Sequence, residues 1–153
     1  MSSRTDMKHF MRALCGIDGA YDLISKKVGL KSNLMWLLYV LDDGKFHSQK
    51  QICEDWLFPK TTINTLIKEC EVAGYVTLRT IPGRKRELQV CLTEAGKNYA
   101  HHLLGFVYEA EEEALAETLR ICPPAFITDF ITFSENLIAA FEKRATPRKD
   151  SSR

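Results

Sequence analysis

Apolar residues recur at intervals of three and four between residues 5 and 28, at Leu14, Ile17, Tyr21, Ile24 and Val28, and this spacing predicts an amphipathic helix. Gly16 and Gly19 weaken it and predict a bend or a close contact, and Gly29 is placed to end it. Ser32 is predicted to cap a second helix over 33–42, the most apolar stretch of the chain. There Leu34, Leu37, Leu38 and Leu41 mark a buried central element that Asp42-Asp43-Gly44 stops. Ser48-Gln49-Lys50-Gln51 has the form of a capping box and opens a short helix over 49–56. Pro59 favours the first turn of a further helix over about 60–73. Ile63, Leu66, Ile67 and Cys70 form its apolar face, Thr61, Thr62, Asn64, Thr65 and Lys68 lie on or beside its polar face, and Gly74 follows its end.

The period then shortens to two. Val76 and Leu78 alternate with Thr77 and Arg79, and Leu88, Val90 and Leu92 alternate with Gln89 and Cys91. Pro82-Gly83-Arg84-Lys85 supplies a turn between them, so a β-hairpin with a basic tip is predicted. A helix opens after Thr93, with Glu94 in its first turn, and runs to about Arg120. Its length is about 40 Å at roughly 1.5 Å per residue. Pro123-Pro124 breaks it, and a last helix over about 124–144 carries Phe126, Phe130, Phe133, Leu137 and Phe141 along one stripe. Residues 146–153 read as a disordered basic tail.

This order predicts a mainly α fold with a small β-hairpin wing. A winged helix-turn-helix lobe spans 32–100, helices at 5–30 and 101–145 serve dimerisation, and the whole of 1–153 forms one domain. The length of 153 residues suits one domain with its own core. The longest purely apolar run, Leu34 to Leu41, has eight residues, against about 20 for a membrane span. Arg4, Asp6 and Lys8 interrupt any signal-peptide pattern, so a cytosolic protein without a membrane partner is expected. The five cysteines have no CxxC spacing, which points to reduced and mostly buried thiols; Cys15 is the best placed of them for a redox role.

The formal net charge of +1 argues at first against a nucleic-acid partner. Its distribution reverses that. Residues 45–100 carry nine basic and six acidic side chains, whereas residues 101–145 carry three basic and eight acidic ones. Arg79, Arg84, Lys85 and Arg86 concentrate positive charge at the hairpin, with Glu87 as the adjacent acid. Hydroxyl and amide groups at the start of the second helix of the motif can meet base edges in a major groove, and a basic wing can lie along phosphates or enter a minor groove. Ser48, Lys60, Thr61, Thr62, Asn64, Thr65, Lys68, Arg79, Arg84, Lys85 and Arg86 make up the expected set of contacts to double-stranded DNA. The long helix and the Phe-rich stripe exceed what one chain can bury, so a two-fold homodimer is expected, with its reading helices about one DNA turn, roughly 34 Å, apart.

The residues resemble the MarR family of winged-helix regulators. The resemblance is clearest over 32–100. It lies in Leu34–Gly44, in Pro59-Lys60-Thr61-Thr62-Ile63-Asn64-Thr65-Leu66-Ile67 followed by Cys70 and Gly74-Tyr75-Val76, and in Arg86 followed by Val90-Cys91-Leu92-Thr93-Glu94-Ala95-Gly96. The last segment looks like the family's wing return and its Leu-Thr-x-x-Gly lead into the long dimer helix. The resemblance implies a homodimer, a palindromic operator and often a repressor that responds to a small molecule. It places Thr61, Thr62, Asn64, Thr65 and Lys68 on the recognition helix and makes Arg86 the wing arginine of the minor groove. Where the family has Asp two residues before that arginine, this chain has Arg84, which implies a wing held differently.

In such an architecture Phe10, Tyr21, Trp36 and Tyr39 are candidates to line a pocket for a small aromatic effector. A metal- or redox-responsive regulator on the same scaffold is the alternative, and a PadR-like regulator is the nearest structural rival. Against metal, His101 and His102 are adjacent and point about 100° apart on a helix, and His9 and His47 have no evident partner. No Walker loop, HExxH, nucleophile elbow or GxGxxG occurs, so neither catalysis nor a cofactor is expected.

Overall fold

The structure is a computed structural model that describes residues 3–81 and 83–145, with backbone alone at residues 81 and 84–87. Pro82 of the predicted turn and the tail predicted at 146–153 lie outside the described residues. The chain divides into two compact units, Met1–Phe106 and Val107–Arg153.

The first unit opens with α1 (Ser3–Lys27). The helix passes through Gly16 and Gly19 without interruption, and a Cβ built at either meets nothing within 4 Å. The predicted bend or close contact is therefore corrected; a glycine costs a helix only about 1 kcal/mol. Gly29, at φ 73°, ends the helix as predicted. The Leu30 amide donates to the Ser25 carbonyl at 2.9 Å and the Gly29 amide to that of Lys26 at 3.1 Å, the paired bonds of a Schellman turn.

The second helix, α2 (Ser32–Leu41), has Lys31 rather than Ser32 at its N-cap, and Lys31 contributes no side-chain cap. The expectation for Ser32 is corrected for a physical reason: its hydroxyl is already taken. It donates to Asp22 Oδ1 at 2.7 Å and lies 2.9 Å from the Ser25 hydroxyl, which is fully buried and bonds the Asp22 carbonyl. Lys26 and Ser32 together hold the Asp22 carboxyl below its ordinary value, Lys26 having the larger effect. This network fixes the corner between α1 and α2. Leu37, Leu38 and Leu41 are fully buried, Met35 nearly so, and Leu34 is half-buried.

Next come β1 (His47–Ser48), α3 (Gln49–Asp55) and α4 (Lys60–Val72), then β2 (Val76–Ile81) and β3 (Arg84–Leu92). The capping box forms as predicted: the Ser48 hydroxyl accepts from the Gln51 amide at 3.0 Å, and Gln51 Oε1 accepts from the Ser48 amide at 3.3 Å. The two-residue β1, which no period in the sequence announces, turns the hairpin into an antiparallel three-stranded sheet of order β1-β3-β2. His47 faces Val90 and Ser48 faces Gln89; across the hairpin Val76 faces Leu92 and Arg79 faces Gln89. Ile52, Ile63, Ile67, Val90 and Leu104 complete the core of this unit with α2.

The long helix α5 (Glu94–Leu119) begins where Thr93 Oγ1 accepts from the Gly96 amide at 3.0 Å. Thr93 also donates its hydroxyl to the Gly74 carbonyl at 2.6 Å and its amide to the Tyr75 carbonyl at 2.9 Å. A Cβ at Gly96 would stand 1.9 Å from the Tyr75 carbonyl oxygen, so this turn of α5 requires glycine. Tyr75 and Tyr99 stack beside it with centroids 4.2 Å apart.

In the second unit, α5 closes in a turn before Pro123-Pro124, and α6 (Phe126–Ala145) follows. No residue of α6 is buried. Phe126, Ile127, Phe130, Ile131, Ile138 and Phe141 are exposed, and Phe133 and Leu137 are half-buried.

Candidate nucleic-acid interface

α4 buries Ile63, Leu66, Ile67 and Cys70 and thereby turns its polar side outward. Lys60, Thr61, Asn64, Thr65 and Lys68 are exposed, and Thr62 is half-buried at the edge of that face. The face is therefore assembled as the sequence predicted. Its hydroxyls differ in what they offer. Thr65 Oγ1 donates to the Thr61 carbonyl at 3.0 Å, so its proton is spent within the helix and its lone pairs remain for an incoming donor such as an adenine amino group. The helix is fixed at both ends. Pro59 holds the N-cap at φ −63°, and Gly74, at φ 75°, carries a second Schellman turn in which the Tyr75 amide donates to the Cys70 carbonyl at 2.8 Å.

Ser48 stands apart from that face. It is 3% exposed, and its hydroxyl is engaged in capping α3. Arg79 is exposed on β2, but its guanidinium is oriented by two neighbours: Nε donates to Gln89 Oε1 at 3.0 Å, and the group lies 3.6 Å from the centroid of the Phe46 ring. The backbone of Arg84, Lys85 and Arg86 belongs to β3, so the wing itself forms; their side chains lie outside the described residues.

Of the expected effector residues, Tyr21, Trp36 and Tyr39 come together. Trp36 lies 4.7 Å from Tyr21 and 5.5 Å from Tyr39, centroid to centroid. The sequence reading missed Trp56, which stands 5.9 Å from Trp36 and 6.0 Å from Tyr39. Only the aromatic character of the residue hinted at this, because twenty positions separate it from Trp36. Phe10 is on the same helix as Tyr21 but about 16 Å further along it, at about 1.5 Å per residue.

The histidine expectations need one correction. His47 has a partner, since its Nε2 lies 2.9 Å from Asp43 Oδ1. Burial raises the Asp43 carboxyl, but His47, the Lys45 amide and their charges outweigh it and leave the carboxyl below its ordinary value. His101 Nε2 lies 3.1 Å from Asp42 Oδ1 on a side chain only 7% exposed, which joins α5 to the end of α2. Among the described residues, no group of three or more His, Cys, Asp or Glu is placed to hold a metal ion. Cys53, Cys70 and Cys91 are buried, and burial pushes the thiols of Cys53 and Cys70 up; Cys15 is exposed on α1. Among the described residues, no helix is long and apolar enough to cross a membrane.

A hydroxyl-rich helix held in front of a three-stranded sheet with a β-hairpin wing defines the winged helix-turn-helix class. No protein-family model and no curated protein matches the chain. Solved structures do. A MarR family regulator from Neisseria meningitidis, NMB1585, shares 22% identity over 94% of this chain and 99% of its own, with a TM-score of 0.73. MepR of S. aureus in its DNA-binding conformation shares 12% identity over 88% of this chain and 98% of its own, with a TM-score of 0.68. The transcriptional regulator BldR of Sulfolobus solfataricus shares 13% over 92% and 99%, with a TM-score of 0.62. The fold is that of MarR family regulators, as the resemblance in the sequence implied.

Proposed function

We propose that the protein is a member of the MarR family and acts as a homodimeric, DNA-binding transcriptional regulator, a repressor of a palindromic operator. The observation that carries this reading is the outward face of α4, where Lys60, Thr61, Asn64, Thr65 and Lys68 stand exposed on a helix anchored at both ends. The fold shared with MepR in its DNA-binding conformation supports it. Bases are read by the threonine and asparagine groups of α4, while Lys60, Lys68 and the wing residues Arg84, Lys85 and Arg86 meet phosphates, with Arg86 reaching the minor groove. The exposed apolar residues of α1 and of α6 supply the surface that a second copy covers.

A gel-shift titration with the DNA flanking the gene tests the reading. The wild-type protein is expected to bind one palindromic segment, and Arg86→Ala to bind it roughly five- to 150-fold more weakly, in line with a cost of ~1–3 kcal/mol per specific contact. Wild-type affinity in Arg86→Ala would remove the wing from the interface. Absence of any duplex binding by the wild type would remove the function itself.

Release of the operator is assigned to a small aromatic effector that stacks among Tyr21, Trp36, Tyr39 and Trp56 and favours the form that does not bind DNA. Phenolic compounds are expected to raise the melting temperature of the wild type and to weaken operator binding together, and to lose both effects in Trp36→Ala.

A further inference from the structure

The polar face of α4 does not end at the helix. Beside it lies an open cleft of about 350 Å³. Thr61, Thr62, Thr65, Leu66 and Glu69 of α4 line it on one side, and Lys31 and Asn33, which begin α2, on the other. Along α4, Glu69 is eight residues beyond Thr61, which is about 12 Å at ~1.5 Å per residue. Along α4 the hydroxyls of Thr61 and Thr62 therefore stand toward one end of the lining and the Glu69 carboxylate toward the other.

Lys31, like Lys8, Lys27, Lys60 and Lys68, differs from the lysines of this unit that are held by carboxylates. Lys26 pairs with Asp22, Lys45 with Asp43, Lys50 with Glu54 and Lys97 with Glu94. Among the described residues Lys31 makes no ion pair, not even across the cleft with Glu69. Its side chain also plays no part in capping α2; only its carbonyl does, accepting from the Leu34 and Met35 amides. Lys31 thus has no structural task for its charge, and it lies on a cleft continuous with the face proposed to read bases.

We infer that this cleft seats the DNA backbone, with Lys31 and Asn33 donating to a phosphate on the strand that borders the major groove read by α4. The inference rests on the DNA-binding function proposed above and adds α2 to the DNA-facing surface. An anion entering the cleft meets the ammonium of Lys31, the amide NH2 of Asn33 and the hydroxyl of Thr62. Thr65, whose proton goes to the Thr61 carbonyl, takes no part as a donor. Glu69 repels the backbone and sets how far along α4 the strand can lie.

The test uses the full chain and a fluorescein-labelled 30-bp duplex of arbitrary sequence, because phosphate binding is blind to sequence, with affinity followed from low to moderate salt. Lys31→Ala is expected to make the slope of log affinity against log salt shallower by about 0.9 for each phosphate no longer neutralised, and to weaken binding roughly tenfold at 0.1 M salt. Asn33→Asp is expected to weaken binding further than its loss of one donor, and Glu69→Gln to strengthen it. Circular dichroism shows whether each variant keeps its helix content, and the opposite signs expected for Lys31→Ala and Glu69→Gln separate a phosphate seat from loss of fold. Wild-type affinity and slope in folded Lys31→Ala, with the wild type binding DNA, overturn the inference and leave the proposed function standing. A wild type that binds neither this duplex nor the DNA flanking the gene overturns both.

Discussion

Two residues show how little room single positions have. Gly96 must bring α5 against the Tyr75 carbonyl, and any Cβ there strikes backbone rather than a side chain that can move aside. Gly96→Ala is expected to destabilise the protein by about 3 kcal/mol or more, read from the midpoint of a urea melt, because a clash of this kind belongs to the upper end of overpacking costs. Leu57 is the reverse case. It adopts φ 55° in the turn before α4 while its side chain is 88% exposed, so it bears left-handed strain with little packing in return. Leu57→Gly is expected to raise stability by about 1 kcal/mol, the lower part of what the left-handed region costs a side chain. Asp22 adds a pH dependence whose sign is fixed. Its folded carboxyl lies below its ordinary value, so its contribution is complete above the ordinary carboxylate range and is lost as pH falls through the lowered value. Melting temperatures of the wild type and Asp22→Asn should therefore differ at neutral pH and converge in acid.

At the scale of elements, most of the fold could be read from period and punctuation. The capping box at Ser48, the proline before α4, the glycines after α1 and α4 and the change of period at Val76 are local signals, and each element they mark is present. Ser48→Ala is expected to cost about 1 kcal/mol, the usual worth of such a cap, and to lower the melting temperature of the whole first unit, since α3 packs against both α4 and the sheet. What the sequence did not disclose depends on contacts between distant positions. A strand of two residues has no period, so β1 is defined only by its pairing with β3. Ser32 has the composition of a cap, yet a carboxylate ten residues earlier takes its hydroxyl. Trp56 joins the aromatic cluster, and Lys31 and Asn33 flank α4, through the folding of α2 onto α4. The outward face of α4 was legible because one helical period states it; the cleft beside it was not, because two elements make it.

For the molecule as a whole, the apolar side chains left exposed on α1 and on α6 are too numerous for a lone chain to carry comfortably in water. Sedimentation velocity is expected to give a dimer at micromolar concentration, and Phe130→Glu a monomer with a lower melting temperature. A monomeric wild type would refute the assembly. The overall charge of +1 gains a meaning at this scale. Under the proposed function, little net positive charge is there to hold the protein on DNA of any sequence, and selectivity is expected to come from local groups on α4, the wing and α2 and from their two-fold placement.

In the proposed dimer, Thr93 would supply the gearing. Its amide and hydroxyl grip the carbonyls of Tyr75 and Gly74, which follow directly on α4, while the same hydroxyl starts α5. The segment that ends α4 and the beginning of α5 are thus joined at one residue. In the proposed dimer, a tilt at the start of α5 would pass to α4 through Thr93, as a crank turns a wheel, and would change the distance between the two α4 helices.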